Sequence, residues 1–185
     1  MRVISGNLKG RSINFLKNID TRPLKDSVRE NLFNVLYHSN LIKTKIGRSN
    51  ILDLYSGIGS FGIECISRGA KKVTFIEQDI NATAILKKNL INLSIINKSK
   101  IYNQKIENVI LQLNDKFDIF FFDPPFRNFD YLQNIELIKK KKIFSKNHIV
   151  IIHRESKTHE EFGAVLKVIE TKQYGRSKII FGLFN

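Results

Sequence analysis

Ile51-Leu52-Asp53-Leu54-Tyr55-Ser56-Gly57-Ile58-Gly59-Ser60-Phe61-Gly62 is the stretch that decides how this chain folds. Residues 51–55 read as a short apolar strand and residues 61–67 as the start of a helix. Between them Gly57, Gly59 and Gly62 spell G-x-G-x-x-G, a strand-to-helix turn where a nucleotide-type ligand meets backbone donors. Glu77 closes the next expected strand, residues 72–77, about 20 residues downstream, where an acid accepts ribose hydroxyls. Gly57, Gly59 and Glu77 therefore belong at the carboxyl ends of neighbouring strands, around one crevice. The glycine pattern alone is shared by several ligand classes.

The alternation continues beyond this unit. Helices are expected over residues 80–93, 106–113 and 131–140, and strands over residues 100–103, 117–122 and 147–153. Such a βα rhythm implies an α/β fold with a doubly wound parallel sheet. Residues 164–173 and 178–184 break the rhythm. They are two strands joined through Tyr174-Gly175-Arg176 with no helix between, which adds an antiparallel C-terminal hairpin. Upstream, residues 2–7 and 11–16 flank Leu8-Lys9-Gly10 and read as a small hairpin with a basic turn. Pro23 biases Arg22 towards an extended conformation. Asp26 or Ser27 can cap a helix running to about residue 37. Its Val28, Leu32, Val35 and Leu36 make one apolar stripe, and Arg29 is expected off it, facing solvent or a phosphate. Residues 1–48 thus read as a hairpin-and-helix appendage on one unit, residues 49–185.

The chain has 185 residues, enough for one domain with a real core. A hydrophobic content of 42% excludes disorder, and the +14 net charge suggests a polyanionic partner, nucleic acid first. Half of that charge lies in residues 1–48, while residues 139–142 add a run of four lysines. A single cysteine, Cys65, cannot form an internal disulfide, which fits a reducing compartment. No run reaches membrane-spanning length and residues 1–7 lack an apolar leader core, so a soluble, cytoplasmic protein is expected. The four histidines have no ligand-like spacing with Cys65, so no metal is expected.

Residues 117–126, Phe-Asp-Ile-Phe-Phe-Phe-Asp-Pro-Pro-Phe, carry the second chemical signal. The strand is apolar on both faces, and the two prolines stop it by removing backbone donors and fixing φ. Asp123 is left at the strand mouth with carbonyls beside it, and Phe126 follows on a rigid arm, able to lie against a flat ring. Acceptors that bond both N–H groups of an exocyclic amine turn its lone pair outward and stabilise the charge that develops on alkylation. Correct juxtaposition lowers a barrier by up to about 7–11 kcal/mol, and stacking on Phe126 contributes about 1–3 kcal/mol of binding. For the glycine loop, a dinucleotide needs donors to a pyrophosphate. S-adenosylmethionine instead carries an ammonium and a sulfonium and favours an acid such as Asp53, whose other role is to brace loop amides. Backbone groups and Asn103 are candidate partners for an adenine edge after the third strand.

Asp123-Pro124-Pro125-Phe126 resembles the (D/N)-P-P-(Y/F) motif of amino-methyltransferases. Arg2-Val3-Ile4-Ser5-Gly6, Lys9-Gly10-Arg11, Thr21-Arg22-Pro23, residues 26–34, residues 56–64 and Ser67-Arg68-Gly69-Ala70 resemble the RsmD-type 16S rRNA (guanine-N2)-methyltransferases along nearly the whole chain. The resemblance implies a Rossmann-like class I fold and methylation of one guanine of small-subunit rRNA with S-adenosylmethionine. It implies a cofactor site of Asp53, Ser56, Gly57, Gly59, Glu77, Gln78, Lys105, Ile106 and Asp123, and catalysis by Asp123, Pro124, Pro125 and Phe126. Lys9, Arg11, Arg22 and Arg29 would hold RNA, with Arg22 and Arg29 beside the entrance, and 16S rRNA or an assembling small subunit would be the partner of a monomer. Lys105 stands where related sequences carry Asn or Asp, and His153 where an acid is usual; His153 is expected to be a strand-end residue.

A DNA adenine-N6 or cytosine-N4 methyltransferase would share the Asp-Pro-Pro-Phe chemistry, but residues 1–48 are too few for a target-recognition domain. An NAD(P)-dependent oxidoreductase leaves that motif without a role. A non-catalytic RNA-binding protein needs only the basic N-terminus.

Overall fold

A computed structural model describes residues 1–15, 24–126 and 128–185. Seven strands form one sheet: Asn50–Leu54 (β1), Lys72–Ile76 (β2), Ser99–Tyr102 (β3), Phe117–Phe122 (β4), Phe144–Glu155 (β5), Leu166–Tyr174 (β6) and Ser177–Phe184 (β7). Their order is β3-β2-β1-β4-β5-β7-β6. The first five run parallel, and β7 is antiparallel to both β5 and β6. The expected terminal hairpin is therefore present, with β7 inserted beside β5 and β6 forming the sheet edge.

Among the described residues, five α-helices, Asp26–His38 (α1), Ser60–Ser67 (α2), Ile80–Asn92 (α3), Ile106–Gln112 (α4) and Tyr131–Lys141 (α5), cover the sheet. Two apolar clusters lie on its two faces. One gathers Leu32, Phe33, Phe61, Ile63, Phe75, Leu86 and Phe121; the other gathers Leu52, Ile76, Val109, Phe120, Phe122 and Ile135. This is why Phe120-Phe121-Phe122 tolerates no polar alternation: successive rings point to opposite faces, and both faces are covered. Phe121 stacks on Phe61 at 4.0 Å between centroids, fixing α2 against β4.

The N-terminal segment is built into this core. Val3 N–H donates to Arg11 O and Gly10 N–H to Val3 O, closing the hairpin around a single Arg2–Ser12 bridge. The Ile4 and Ser5 amides donate to the fully buried Glu64 carboxylate at 2.8 and 2.9 Å. Gly6 sits at φ +81°, where a Cβ would lie 2.0 Å from Ser67 O.

α1 departs from expectation in two ways. Its N-cap is Lys25 without a side-chain bond, and Asp26 pairs with Arg29 instead of capping. Its buried face is Val28, Arg29, Leu32, Phe33 and Leu36, so the stripe is turned to include Arg29 and to leave Val35 at its margin. Among the described residues, no helix is long and apolar enough to cross a membrane.

Candidate active site

The strand order reverses between β1 and β4, the point at which open α/β sheets bind ligands beyond their carboxyl ends. A cleft of about 1680 Å³ opens there. Single-ligand pockets are about 300–1,000 Å³, so the volume suits two ligands side by side. Ser56, Gly57, Glu77, Gln78, Lys105 and Ile106 line one half; Asp123, Pro124, Pro125, Phe126 and His153 line the other.

On the first half, Tyr55 at φ 58° and Gly57 at φ 52° fold the chain sharply off β1. Gly57 N–H donates to Glu77 Oε2 at 2.8 Å, and Asp79 N–H to Glu77 Oε1 at 2.8 Å, so the carboxylate is aimed across the loop. A Cβ on Gly57 would meet nothing within 4 Å, which leaves the loop backbone open to a ligand. Gly59, at φ 84°, instead faces inward, where a Cβ would strike Leu86 Cδ1; it makes the turn and does not line the cleft.

Asp53 is buried, with Oδ2 accepting from Gly62 N–H at 3.0 Å. Burial pushes its carboxyl well above the usual carboxylate range, against that amide bond. It braces the loop from beneath and is absent from the cleft wall. Gly59 N–H is likewise taken, by Ser56 O. Two amides that a pyrophosphate would need are thus already bonded, and the Glu77 carboxylate lies across the loop. This loop suits a cationic group, not a diphosphate. Ser56 lines the cleft, and its Oγ is buried without a hydrogen-bond partner among the described residues, an orphan that a polar group seated against the loop would satisfy. Asn103 is spent elsewhere: its amide donates to Glu77 O, Gln78 O and Thr83 Oγ1, bracing the end of β2.

On the second half, Asp123 follows β4, and its side chain is a quarter exposed. His153 of β5 lies beside it, Nδ1 2.7 Å from Asp123 Oδ1 and Nε2 3.0 Å from Ser177 Oγ. A carboxylate at Asp123 can only accept, so Nδ1 is the donor of that bond, and Nε2 lies within hydrogen-bond distance of the Ser177 hydroxyl. His153 also meets the Phe126 ring edge-on at 5.5 Å between centroids. Arg154, fully buried, donates to Pro125 O at 3.1 Å and Phe126 O at 2.7 Å. It also packs on Tyr131 and pairs with Glu160. The Pro-Pro turn is therefore held from below by a guanidinium. Among the described residues, no hydrogen bond engages Asp123 Oδ2 or the Pro124 carbonyl, which leaves two acceptors on residues that line the cleft.

Sequence reasoning missed three contributors. The β6–β7 turn, Tyr174 to Ser177, forms part of the wall. Arg154 clamps the motif, and α1 borders the mouth through Lys25, Ser27 and Asn31. Only Arg154 left a signal, as a cation inside an apolar strand run.

Arg29 corrects the expected RNA contact. It is fully buried, donating to Arg2 O at 2.7 Å and Asp26 at 3.0 Å, and burial lowers its guanidinium pKa despite the nearby acids. It ties the N-terminal hairpin to α1. Lys9 and Arg11 are exposed, but Arg11 donates to Asn92 O at the carboxyl end of α3, away from the cleft mouth. Arg22 lies outside the described residues. No group of three or more His, Cys, Asp or Glu among the described residues could hold a metal.

The family model described as "Conserved hypothetical protein 95" matches residues 1–182. A Buchnera aphidicola (Acyrthosiphon pisum) protein named ribosomal RNA small subunit methyltransferase D is 37% identical over 155 residues, covering 84% of this chain and 78% of its own. The protein of that name from Buchnera of Baizongia pistaciae is 33% identical over 184 residues, covering 100% and 91%. Among solved structures, a candidate methyltransferase of Escherichia coli, yhhF, superposes with a TM-score of 0.85 at 26% identity, covering 100% of this chain and 98% of that one. Fold, cleft and similarity agree: the chain belongs to the Conserved hypothetical protein 95 family, that of the RsmD-type small-subunit rRNA methyltransferases, and is a methyltransferase of the Rossmann-like class I fold.

Proposed function

We propose that this protein methylates the exocyclic N2 amine of one guanine in small-subunit rRNA, with S-adenosylmethionine as donor. The observation that carries the reading is the juxtaposition, in one cleft, of the Gly57–Glu77 loop with the Asp123 and Pro124 acceptors. Ser56, Gly57, Glu77, Gln78, Lys105 and Ile106 are the residues that would hold the cofactor, with Glu77 on its ribose and the orphan Ser56 hydroxyl on a polar end. When bound, the cofactor supplies an electrophilic methyl group on a sulfonium.

The chain's own part is orientation and charge. Asp123 Oδ2 and the Pro124 carbonyl accept hydrogen bonds from the two amine N–H groups, which turns the lone pair out of conjugation with the base. As the methyl leaves sulfur for nitrogen, the one surplus amine proton is released to solvent or to the Asp123 carboxylate. His153 fixes the carboxylate through Oδ1, and Arg154 keeps the Pro-Pro turn from drifting. Phe126 provides the flat apolar wall for the base. A paired or stacked target must first be everted into the cleft. The motif's chemistry serves any exocyclic amine; guanine and rRNA rest on the family's printed names and on the basic surface. The protein works as a monomer in the cytoplasm.

Transfer of labelled methyl from S-adenosylmethionine into small-subunit particles and into duplex DNA, run in parallel, tests the reading. Label in the rRNA is expected, and label in DNA alone would overturn it.

A further inference from the structure

In this fold the parallel strands start on one edge of the sheet and the cleft lies on the other. Each strand from β1 to β5 is entered through an exposed cation: Arg48 before β1, Lys72 at β2, Lys98 before β3, Lys116 before β4 and Lys146 in β5. Lys142, which ends α5, joins them, and Lys116 donates to its carbonyl. The acids on these segments are Asp115 and Asp118, and Asp118 already accepts from Asn50 N–H. Lys9 and Arg11 extend the row, because their hairpin is docked on the carboxyl ends of α2 and α3. The cleft wall is the reverse. Among its described residues Lys25, Lys105 and Arg176 face five carboxylates, those of Glu77, Glu107, Asp123, Asp130 and Glu155.

We propose that this amino-terminal edge of the sheet is a second RNA-contact surface, binding the phosphates of a paired rRNA segment remote from the target base. The claim deepens the rRNA reading and rests on it for the identity of the RNA. The five strand entries span four interstrand steps, about 19 Å at about 4.8 Å each. That is a row of point charges matched to a phosphate backbone. None of the exposed aromatics Phe15, Tyr37 and Phe129 lies on these entries, so the surface lacks the stacking platform that single strands require and suits paired RNA, which proteins hold by shape and phosphate contacts. Lysines at helix ends also offset helix dipoles, so the variant avoids α5.

The test is the triple variant Lys72→Glu, Lys98→Glu, Lys146→Glu. Its fold is checked by thermal melting and its cleft by S-adenosylhomocysteine affinity, both expected to match the parent. Binding to a 20-base-pair RNA duplex is measured across a salt series. The variant is expected to bind at least tenfold more weakly at 50 mM salt. Its log–log salt slope should be shallower by about 2–3, at about 0.7–0.9 for each phosphate that is no longer neutralised. On small-subunit particles KM should rise at least fivefold with kcat within twofold. Unchanged duplex affinity and slope would overturn the proposal, as would parent binding to phosphatidylserine vesicles but not to duplex at equal salt. A parent that binds duplex through these lysines yet methylates no rRNA would sink the functional reading and leave the surface standing.

Discussion

In the proposed reaction Asp123 and His153 form the contact on which the chemistry turns, and His153 was legible only as a strand residue. Its partner lies 30 positions away, across the β4–β5 register. His153→Ala should lower kcat by about 10²-fold, the scale of a displaced positioning group, with S-adenosylhomocysteine affinity unchanged by calorimetry; His153→Asn, whose amide nitrogen takes the place of Nδ1 and can still donate to Oδ1, should recover part of the loss. Equal kcat in the Ala variant would make His153 a packing residue. Arg29 teaches the opposite lesson. Its helical spacing put it one step off the apolar stripe, but the N-terminal hairpin covers that side of α1 and draws the guanidinium inside. Arg29→Ala should therefore cost about 2–3 kcal/mol of stability, through the lost volume of a buried side chain and the lost bond to Arg2 O, and leave the salt slope of RNA binding unchanged. A shallower slope with parent-like stability would restore it as an RNA contact.

At the scale of elements, the sheet and helices were readable because each carries its own period, and observed boundaries fall within three residues of the expected ones from β1 to β7. What could not be read was how loops are held. The Pro-Pro turn depends on Arg154, and Arg154 on Glu160, which also meets Lys178 at 2.5 Å. Burial alone would raise the Glu160 carboxyl, but the donors Lys178, Thr158 and Arg154 outweigh it and hold its pKa below the usual value. A depressed carboxyl stabilises the fold above the unfolded-state pKa and loses that contribution as pH falls through the folded one. Acid titration of the melting temperature should thus fall more steeply below about pH 4.3 in the parent than in Glu160→Gln; parallel curves would remove Glu160 from the clamp. The α2–β2 contact gives a second test. A Cβ on Gly62 would sit 2.3 Å from Phe75 Cε1 and 2.8 Å from Val73 Cγ1, so Gly62→Ala should destabilise by about 1–3 kcal/mol through overpacking, measured by urea unfolding.

For the whole molecule, the doubly wound sheet follows from the βα rhythm, and the placement of the cleft from where its strand order reverses. The direction of charge did not follow from composition: +14 names a polyanion without saying which edge meets it. The structure puts much of that charge opposite the cleft, while the cleft keeps the acids that a cationic donor and an amine require. The central claim is methyl transfer to guanine N2 under the control of Asp123. Mass mapping of nucleosides from small-subunit rRNA, incubated with S-adenosylmethionine and either the parent protein or Asp123→Ala, tests it most directly. The expected result is N2-methylguanosine at one site with the parent and none with the variant, both proteins binding S-adenosylhomocysteine alike; a methyl group on a ribose, on a ring nitrogen or on another base, or equal methylation by the variant, would contradict it.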